Sequence, residues 1–478
     1  MKRQLVPSGV EGLDVVLGGG FPRGSLIVLA GCPGVGKTVF SAQFLYRGCL
    51  NYGDKGVYVS FAESKDVFYE NMGGFGFNFK KIEESGKFRF LDLLTVKDEG
   101  VSAGIEYILK ELVEVGAKRL VIDSFSALAQ AFKELHEARV FLHTVIGKIC
   151  RLQGCTTLVI SENPCESQNN GMTFGIEGFV ADGIIRLKRG CLERRPLREL
   201  EIFKMRGVPV PETRLVFTLK DGFKAFSSFK VIPVDKPQRF QPQPDTNGFY
   251  STGSQDLDEM LGGGYPRGSP ALIEIGENVS TFQYHLIVAP TAWNFATQGR
   301  GVIMIPSAGV DYKIIIRKAE EAGLTSEEIN SLSRVCVKDY PGIKLEPYVV
   351  AFKGERISED YAKYLEVERE LMERTRQPVL RVTGADMLID AYGPKEALSV
   401  FKVDAVRIRE TEGLGIILLK PGHPKLAKIL GSIAETHIKI IREYGKIFVY
   451  GVKPRTNLNV LEMDTSKGYP MPKLNQII

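Results

Sequence analysis

Gly31-Cys32-Pro33-Gly34-Val35-Gly36-Lys37-Thr38 is a complete instance of the pattern G-x-x-x-x-G-K-[ST], and its flanks decide how it is read. Before it, Ser25-Leu26-Ile27-Val28-Leu29-Ala30 is an apolar run suited to a buried strand. After it, Val39-Phe40-Ser41-Ala42-Gln43-Phe44-Leu45 has the apolar spacing of a helix packed on a sheet. Strand, glycine loop and helix are the setting that phosphate chemistry requires. Glycines let backbone N–H groups close around phosphate oxygens, and the helix N-terminus adds favourable partial charge. In that setting Gly31 to Thr38 form the cradle, Lys37 reaches the β- and γ-phosphates, and Thr38 holds Mg²⁺. A plain glycine turn ending in a surface Lys-Thr leaves both flanks unexplained. The expectation is a nucleoside-triphosphate site.

The surroundings of this loop occur twice. Ser8-Gly9-Val10-Glu11-Gly12-Leu13-Asp14 and Gly18-Gly19-Gly20-Phe21-Pro22-Arg23-Gly24-Ser25 return as Thr252-Gly253-Ser254-Gln255-Asp256-Leu257-Asp258 and Gly262-Gly263-Gly264-Tyr265-Pro266-Arg267-Gly268-Ser269. Carried forward, the register sets Gly276 opposite Gly31, Phe282 opposite Lys37 and Gln283 opposite Thr38. Gly34 and Gly36 become Val279 and Thr281. Without those glycines and the lysine, the copy is expected to keep the fold and lack the site.

The repeat divides the 478 residues into a first domain at 1–232, a linker at 233–245 with four prolines, and a degenerate second domain at 246–478. Each half is long enough to bury a substantial core. Hydrophobic content of 44% and charged content of 25% are ordinary for a globular protein. No apolar run approaches the roughly 20 residues of a membrane span, and the N-terminus lacks a signal-peptide core. The expectation is a cytoplasmic protein without membrane insertion. The net charge of +5 permits nucleic-acid contact without implying it. The seven cysteines form no CxxC pair or metal-spaced cluster, as expected of reduced, mostly buried thiols.

Strand-like and helix-like segments alternate through the first domain, which predicts an α/β fold with a mostly parallel central sheet flanked by helices. Strands are expected at 26–30, 56–61, 88–91, 119–122 and 156–161, and helices at 39–51, 102–115 and 134–153. From residue 183 the pattern becomes strands at 183–188, 199–204 and 214–219, a β-rich closing extension. The second domain repeats this layout with strands at 271–275, 301–305, 379–383 and 415–419, then 447–452 and 458–463. Residues 361–375 read as a surface helix with one buried face.

A phosphate-loop site needs an acid at the end of a buried strand to organise Mg²⁺. Leu120-Val121-Ile122-Asp123 supplies Asp123, against the ordinary reading of a strand-capping aspartate. Leu380-Arg381-Val382-Thr383 lies opposite in the copy, without an acid. Glu63, after Val59-Ser60-Phe61-Ala62, is the candidate for orienting water, and an exposed loop glutamate is its plain alternative.

Taken together, these residues resemble the KaiC-type branch of the RecA-like ATPases over essentially the whole first domain. Two later stretches add to the resemblance: Gly175-Ile176-Glu177-Gly178-Phe179-Val180-Ala181-Asp182-Gly183-Ile184-Ile185 and Ile202-Phe203-Lys204-Met205-Arg206-Gly207. The resemblance implies tandem RecA-like domains and a homo-oligomer, usually a hexameric ring, with ATP and Mg²⁺ between subunits. It further implies that Lys204 and Arg206 project onto the γ-phosphate held by the neighbouring subunit. Alternate residues of a strand face the same way, so the two form a paired cationic face; their plain reading is a basic strand edge that discourages aggregation. One departure is Ala62, where such domains carry the first of two adjacent glutamates; slow hydrolysis is the expectation. Another is Lys453-Pro454-Arg455, aligned with Lys204-Met205-Arg206 but serving no phosphate loop. It reads either as a contact to an acidic neighbour or as an idle remnant.

In recombinases of the superfamily, the loop after the 156–161 strand contacts single-stranded DNA. Here residues 162–180 carry no Lys or Arg and three glutamates, Glu162, Glu166 and Glu177. Backbone neutralisation depends on cations, so this loop argues against nucleic acid. Protein partners are expected through the degenerate domain. A nucleotide-gated regulatory module with little turnover stands as the alternative to a slow assembly ATPase, and a recombination accessory protein on DNA as a lesser one.

Overall fold

The computed structural model describes residues 4–93, 101–130, 151–162, 180–339 and 346–478. The chain divides into two compact units, Met1–Ser227 with Gln476–Ile478, and Ser228–Asn475. In the first unit, strands Leu26–Gly31, Gly56–Ser60 and Arg119–Asp123 are buried at every position. Strands that are apolar on both sides need cover on both faces, the circumstance of a parallel sheet flanked by helices.

The sheet has nine strands, in the order Lys224–Phe226, Arg214–Thr218, Arg195–Met205, Gly183–Leu192, Leu26–Gly31, Thr156–Glu162, Arg119–Asp123, Gly56–Ser60, Phe88–Asp92. From Gly183–Leu192 to Phe88–Asp92 neighbours run parallel. The remaining three strands add on antiparallel, so the change of pattern after residue 183 is a change from crossovers to hairpins. Helix Lys37–Asn51 covers one face with Phe40, Phe44 and Leu45. Ile108 and Leu112 of helix Val101–Val115 cover the other, against Val57, Val59, Leu120 and Ile122. The helix expected at 134–153 falls largely on residues 131–150, outside those described. Helices Lys65–Gly73 and Phe79–Glu84 were not expected, being too short for their apolar residues to show a period.

The second unit has the same strand order with one more strand at its edge: Val349–Phe352, Ser333–Lys338, Val302–Ile305, Leu380–Gly384, Leu414–Leu419, Ser269–Ile275, Thr436–Glu443, Lys446–Lys453, Asn459–Asp464, Met471–Gln476. The stretch expected as a linker, 233–245, belongs to this unit. Phe240 is 1% exposed in its core. Gln238 N donates to Gly468 O at 3.0 Å, and Phe240 N to Ala322 O at 2.7 Å. One buried aromatic and a few backbone bonds anchor a segment whose composition reads as solvated.

The repeated opening has a structural cause. Asp14 Oδ1 accepts from Ser8 N at 2.7 Å, and Asp258 Oδ1 accepts from Thr252 N at 2.7 Å. Each tethered turn presses a glycine onto the next helix, where a Cβ on Gly9 would meet Arg47 Cβ at 2.9 Å and one on Gly253 would meet Asn294 Cβ at 3.1 Å. Arg47 and Asn294 therefore hold the same place. Counting back along each helix sets Tyr284 where Lys37 stands and His285 where Thr38 stands, which corrects the Phe282 and Gln283 alignment. The physical reason is length: the helix of the copy, Thr281–Thr297, has 17 residues against 15 in Lys37–Asn51. Strand register corrects a second position. Met304 pairs with Val382 as Tyr58 pairs with Val121, so Gly384, rather than Thr383, stands at the level of Asp123. Neither correction restores a lysine or an acid to the copy.

Candidate functional site

The phosphate loop joins the central strand Leu26–Gly31 to the buried helix Lys37–Asn51. Gly34 has φ +74° and Gly36 φ +110°, both in the region that L side chains rarely adopt. A Cβ on Gly36 would also meet the Leu219 side chain at 3.1 Å. Lys37 is 6% exposed, and its Nζ donates to the carbonyls of Gly31 and Cys32, both at 2.9 Å. The ammonium thus lies over the loop it would serve. Two arginines hold the loop from outside, and sequence reading missed both. Arg189 Nη2 donates to Gly34 O at 2.5 Å, and Arg198 Nη1 to Val35 O at 3.2 Å. They are cross-strand partners in register, a relation no motif marks. Burial, followed by the charge of Arg189, lowers the pKa of Arg198.

Asp123 closes its strand beside the loop, 7% exposed. One carboxylate oxygen, Oδ2, accepts from Thr38 Oγ1 at 3.1 Å and from Tyr58 OH at 2.5 Å. Burial pushes the Asp123 carboxyl up, while the bonds from Tyr58 and Thr38 and the charge of Lys37 pull it down. Burial and then the charge of Asp123 drive the Tyr58 phenol well above its ordinary value, so it stays a donor. Tyr58 was not among the expected site residues; only the pairing of its strand with that of Asp123 reveals it.

Glu63 sits in a turn tied by Ser60, whose Oγ donates to Glu63 O at 2.7 Å and accepts from Glu63 N at 3.0 Å. Its Oε2 accepts from Asn71 Nδ2 at 3.3 Å. Burial first, then the charge of Asp123, raises its pKa. Among the described residues no three His, Cys, Asp or Glu side chains gather as a metal site. Thr38 and Asp123 with phosphate oxygens are the donor set that could hold Mg²⁺, and the glycine cradle beside them could take the phosphates. The residues present fit Mg-ATP.

The structure does not bring Lys204 and Arg206 to this cluster. Gly31, where the loop begins, pairs with Leu187, whereas Lys204 pairs with Ile184 and Met205 with Gly183. The two cations therefore lie three to five residues back along the strands, roughly 10–16 Å from the loop's level. Arg206 N donates to Asp182 O at 2.8 Å, and its guanidinium lies 3.8 Å from Asp182 Oδ1 with the side chain 56% exposed. Burial and then the charge of Arg206 lower the pKa of Lys204. In the second unit Lys453 pairs with His437, and its Nζ donates to Ala434 O at 2.7 Å. Of the loop that contacts DNA in recombinases, residues 163–179 lie outside those described.

Residues 6–225 match the family described as ATPase: KaiC. The first unit thus carries a KaiC-type domain of the RecA-like P-loop ATPases. The circadian clock oscillator protein KaiC of Prochlorococcus marinus (strain MIT 9313) is 31% identical over 280 residues, covering 57% of this chain and 54% of that protein. That of Parasynechococcus marenigrum (strain WH8102) is 32% identical over 272 residues, covering 55% and 51%. The chain thus spans about half the length of the curated relatives it matches. A KaiC-like protein from Pyrococcus horikoshii OT3 is 32% identical, with a TM-score of 0.42, over 47% of this chain and 100% of that one. The KaiC-type match ends at residue 225, short of the unit in which Tyr284 and His285 stand at the lysine and threonine positions. No described helix is long and apolar enough to cross a membrane.

Proposed function

We propose that the first unit binds Mg-ATP through Gly31 to Thr38 and hydrolyses it slowly, in a homo-oligomeric ring that is hexameric by family analogy. The observation that carries this reading is the split of the machinery. Thr38, Tyr58 and Asp123 converge beside the phosphate loop, while Lys204 and Arg206 lie at the other end of the sheet. A cation pair set back along the strands from its own loop supports a role at the loop of a neighbouring subunit. Bound Mg²⁺ would neutralise charge on the phosphates. Lys37 leaves its two carbonyls to meet phosphate oxygens, and Asp123, held by Tyr58, keeps its acceptor aimed at the metal position. Glu63 orients water and takes its proton, and Lys204 and Arg206 of a neighbouring subunit stabilise charge on the γ-phosphoryl group. The second unit serves as a platform for partners or for a second layer of the assembly, in a cytoplasmic protein.

Ala62 favours a second reading, in which ATP occupancy switches shape and partner choice with little turnover. Light scattering with Mg-ATP, with Mg-ADP and without nucleotide, alongside phosphate release, tests the first. A mass near six chains that forms or tightens with ATP, together with measurable release, is the expected result. A monomer in all three conditions sinks the ring and removes the role given to Lys204 and Arg206. A ring without release leaves the switch.

A further inference from the structure

The second unit contains a cavity of about 330 Å³ between helix Thr281–Thr297, helix Tyr312–Glu321 and the sheet. Ala289, Ala292, Ala296, Met304, Ile315 and Ala319 are among its walls. Protein interiors are close-packed, and a void this size forfeits contacts along its whole lining. The first unit has the same elements in the same order and fills this place. Its rings Tyr58, Phe68, Phe79 and Phe90 pack together with centroids 4.4 Å apart for Tyr58–Phe68, 5.5 Å for Tyr58–Phe90 and 5.0 Å for Phe68–Phe79.

Register shows how the copy was hollowed. The helix correspondence that sets Asn294 at Arg47 sets Ala292 at Leu45, and strand pairing sets Met304 at Tyr58. The next helices begin at Lys65 and Tyr312, and the two after them are capped by Asn78 and Thr325. The spacing between start and cap is the same in both units, so Ile315 stands at Phe68 and Ala319 at Met72. Each of these four replacements is smaller or lacks the ring, and all four residues face the cavity.

The polar members of the wall do not call for an ion. Lys318 Nζ pairs with Glu321 at 2.6 Å. Burial, then the charge of Lys420, pushes His285 down to about 4, so its imidazole is neutral at pH 7.

We infer that the second unit is a binding domain for a small, uncharged apolar molecule, aromatic or short-chain aliphatic, held between these two helices. An apolar cavity of about 150 Å³ accepts one benzene, so this one has room for roughly two fused rings. The site is separate from the nucleotide site and stands whether or not that site turns over ATP.

Titration of the full chain with naphthalene and fluorescent 1-aminonaphthalene tests the inference. Saturable one-to-one binding is expected, together with a higher unfolding temperature in the presence of naphthalene. Ala292→Leu and Ala319→Met, which install the first unit's residues, are each expected to weaken binding by about tenfold or more, since added methylenes overfill a fixed space. Both variants should keep wild-type ATP binding and circular dichroism. Two substitutions on different helices guard against one that fails to fold. No saturable binding to the wild type, or binding that both folded variants retain unchanged, overturns the proposal. So does a probe that binds only to heat-unfolded protein.

Discussion

Asp123 Oδ2 accepts from both Thr38 and Tyr58, which fixes the carboxylate before any metal arrives. Hydrogen bonds to a charged group contribute about 1.5–3 kcal/mol, so Tyr58→Phe is expected to lower stability by about that amount. It should also raise the Mg²⁺ concentration at which ATP binding is half-maximal by several-fold, read from ATP titrations at stepped Mg²⁺; an unchanged Mg²⁺ dependence would remove Tyr58 from the site. Glu63→Gln is expected to slow single-turnover phosphate release by about 100-fold or more, the usual worth of a general base, with ATP affinity retained. The direction of the Glu63 shift gives the sign of the pH effect. A base raised by burial and by Asp123 is competent while deprotonated, so wild-type release falls as pH drops through a value above that of an ordinary glutamate. Glu63→Gln should lack that limb.

The strand pair Gly183–Leu192 and Arg195–Met205 braces the phosphate loop from one end and carries Lys204 and Arg206 at the other. Arg198→Ala removes one brace and is expected to weaken ATP binding by about three- to tenfold, since a net hydrogen bond contributes about 1 kcal/mol. Calorimetric titration checks it, and wild-type affinity would make the brace incidental. The turn before helix Glu11–Val16 makes its own pH prediction. Burial pushes the Asp14 carboxyl up to about 6, so the neutral acid is the form that favours folding. That contribution is fully present below the unfolded pKa and lost as pH rises through about 6, at most about 3 kcal/mol. Asp14→Asn should flatten this part of the stability profile in urea melts at stepped pH.

At the scale of the whole molecule, the separation of Lys204 and Arg206 from their own loop predicts complementation. Lys37→Ala chains lack a phosphate-binding lysine but keep their cation pair, and chains with Lys204→Ala and Arg206→Ala keep the loop. Each preparation alone should be nearly inactive. A mixture should recover activity at interfaces that join an intact loop to an intact pair, measured as phosphate release against mixing ratio. A mixture no faster than its parts would show that the pair does not act across subunits.

The sequence by itself determined the order of strands and helices around the loop, because fully buried strands and a glycine-rich turn leave composition no alternative. It also determined that the copy has neither lysine nor acid at the site, since that follows under either register. Short helices such as Phe79–Glu84 were beyond it, because one or two buried residues set no period. The tertiary structure alone decided what depends on register between distant segments. It placed Tyr58 on Asp123, Arg189 and Arg198 on the loop, Phe240 in the second core, and Tyr284 rather than Phe282 at the lysine position. It also showed the cavity, because a void is a property of several side chains being small together around one point, and no single position in the sequence records it.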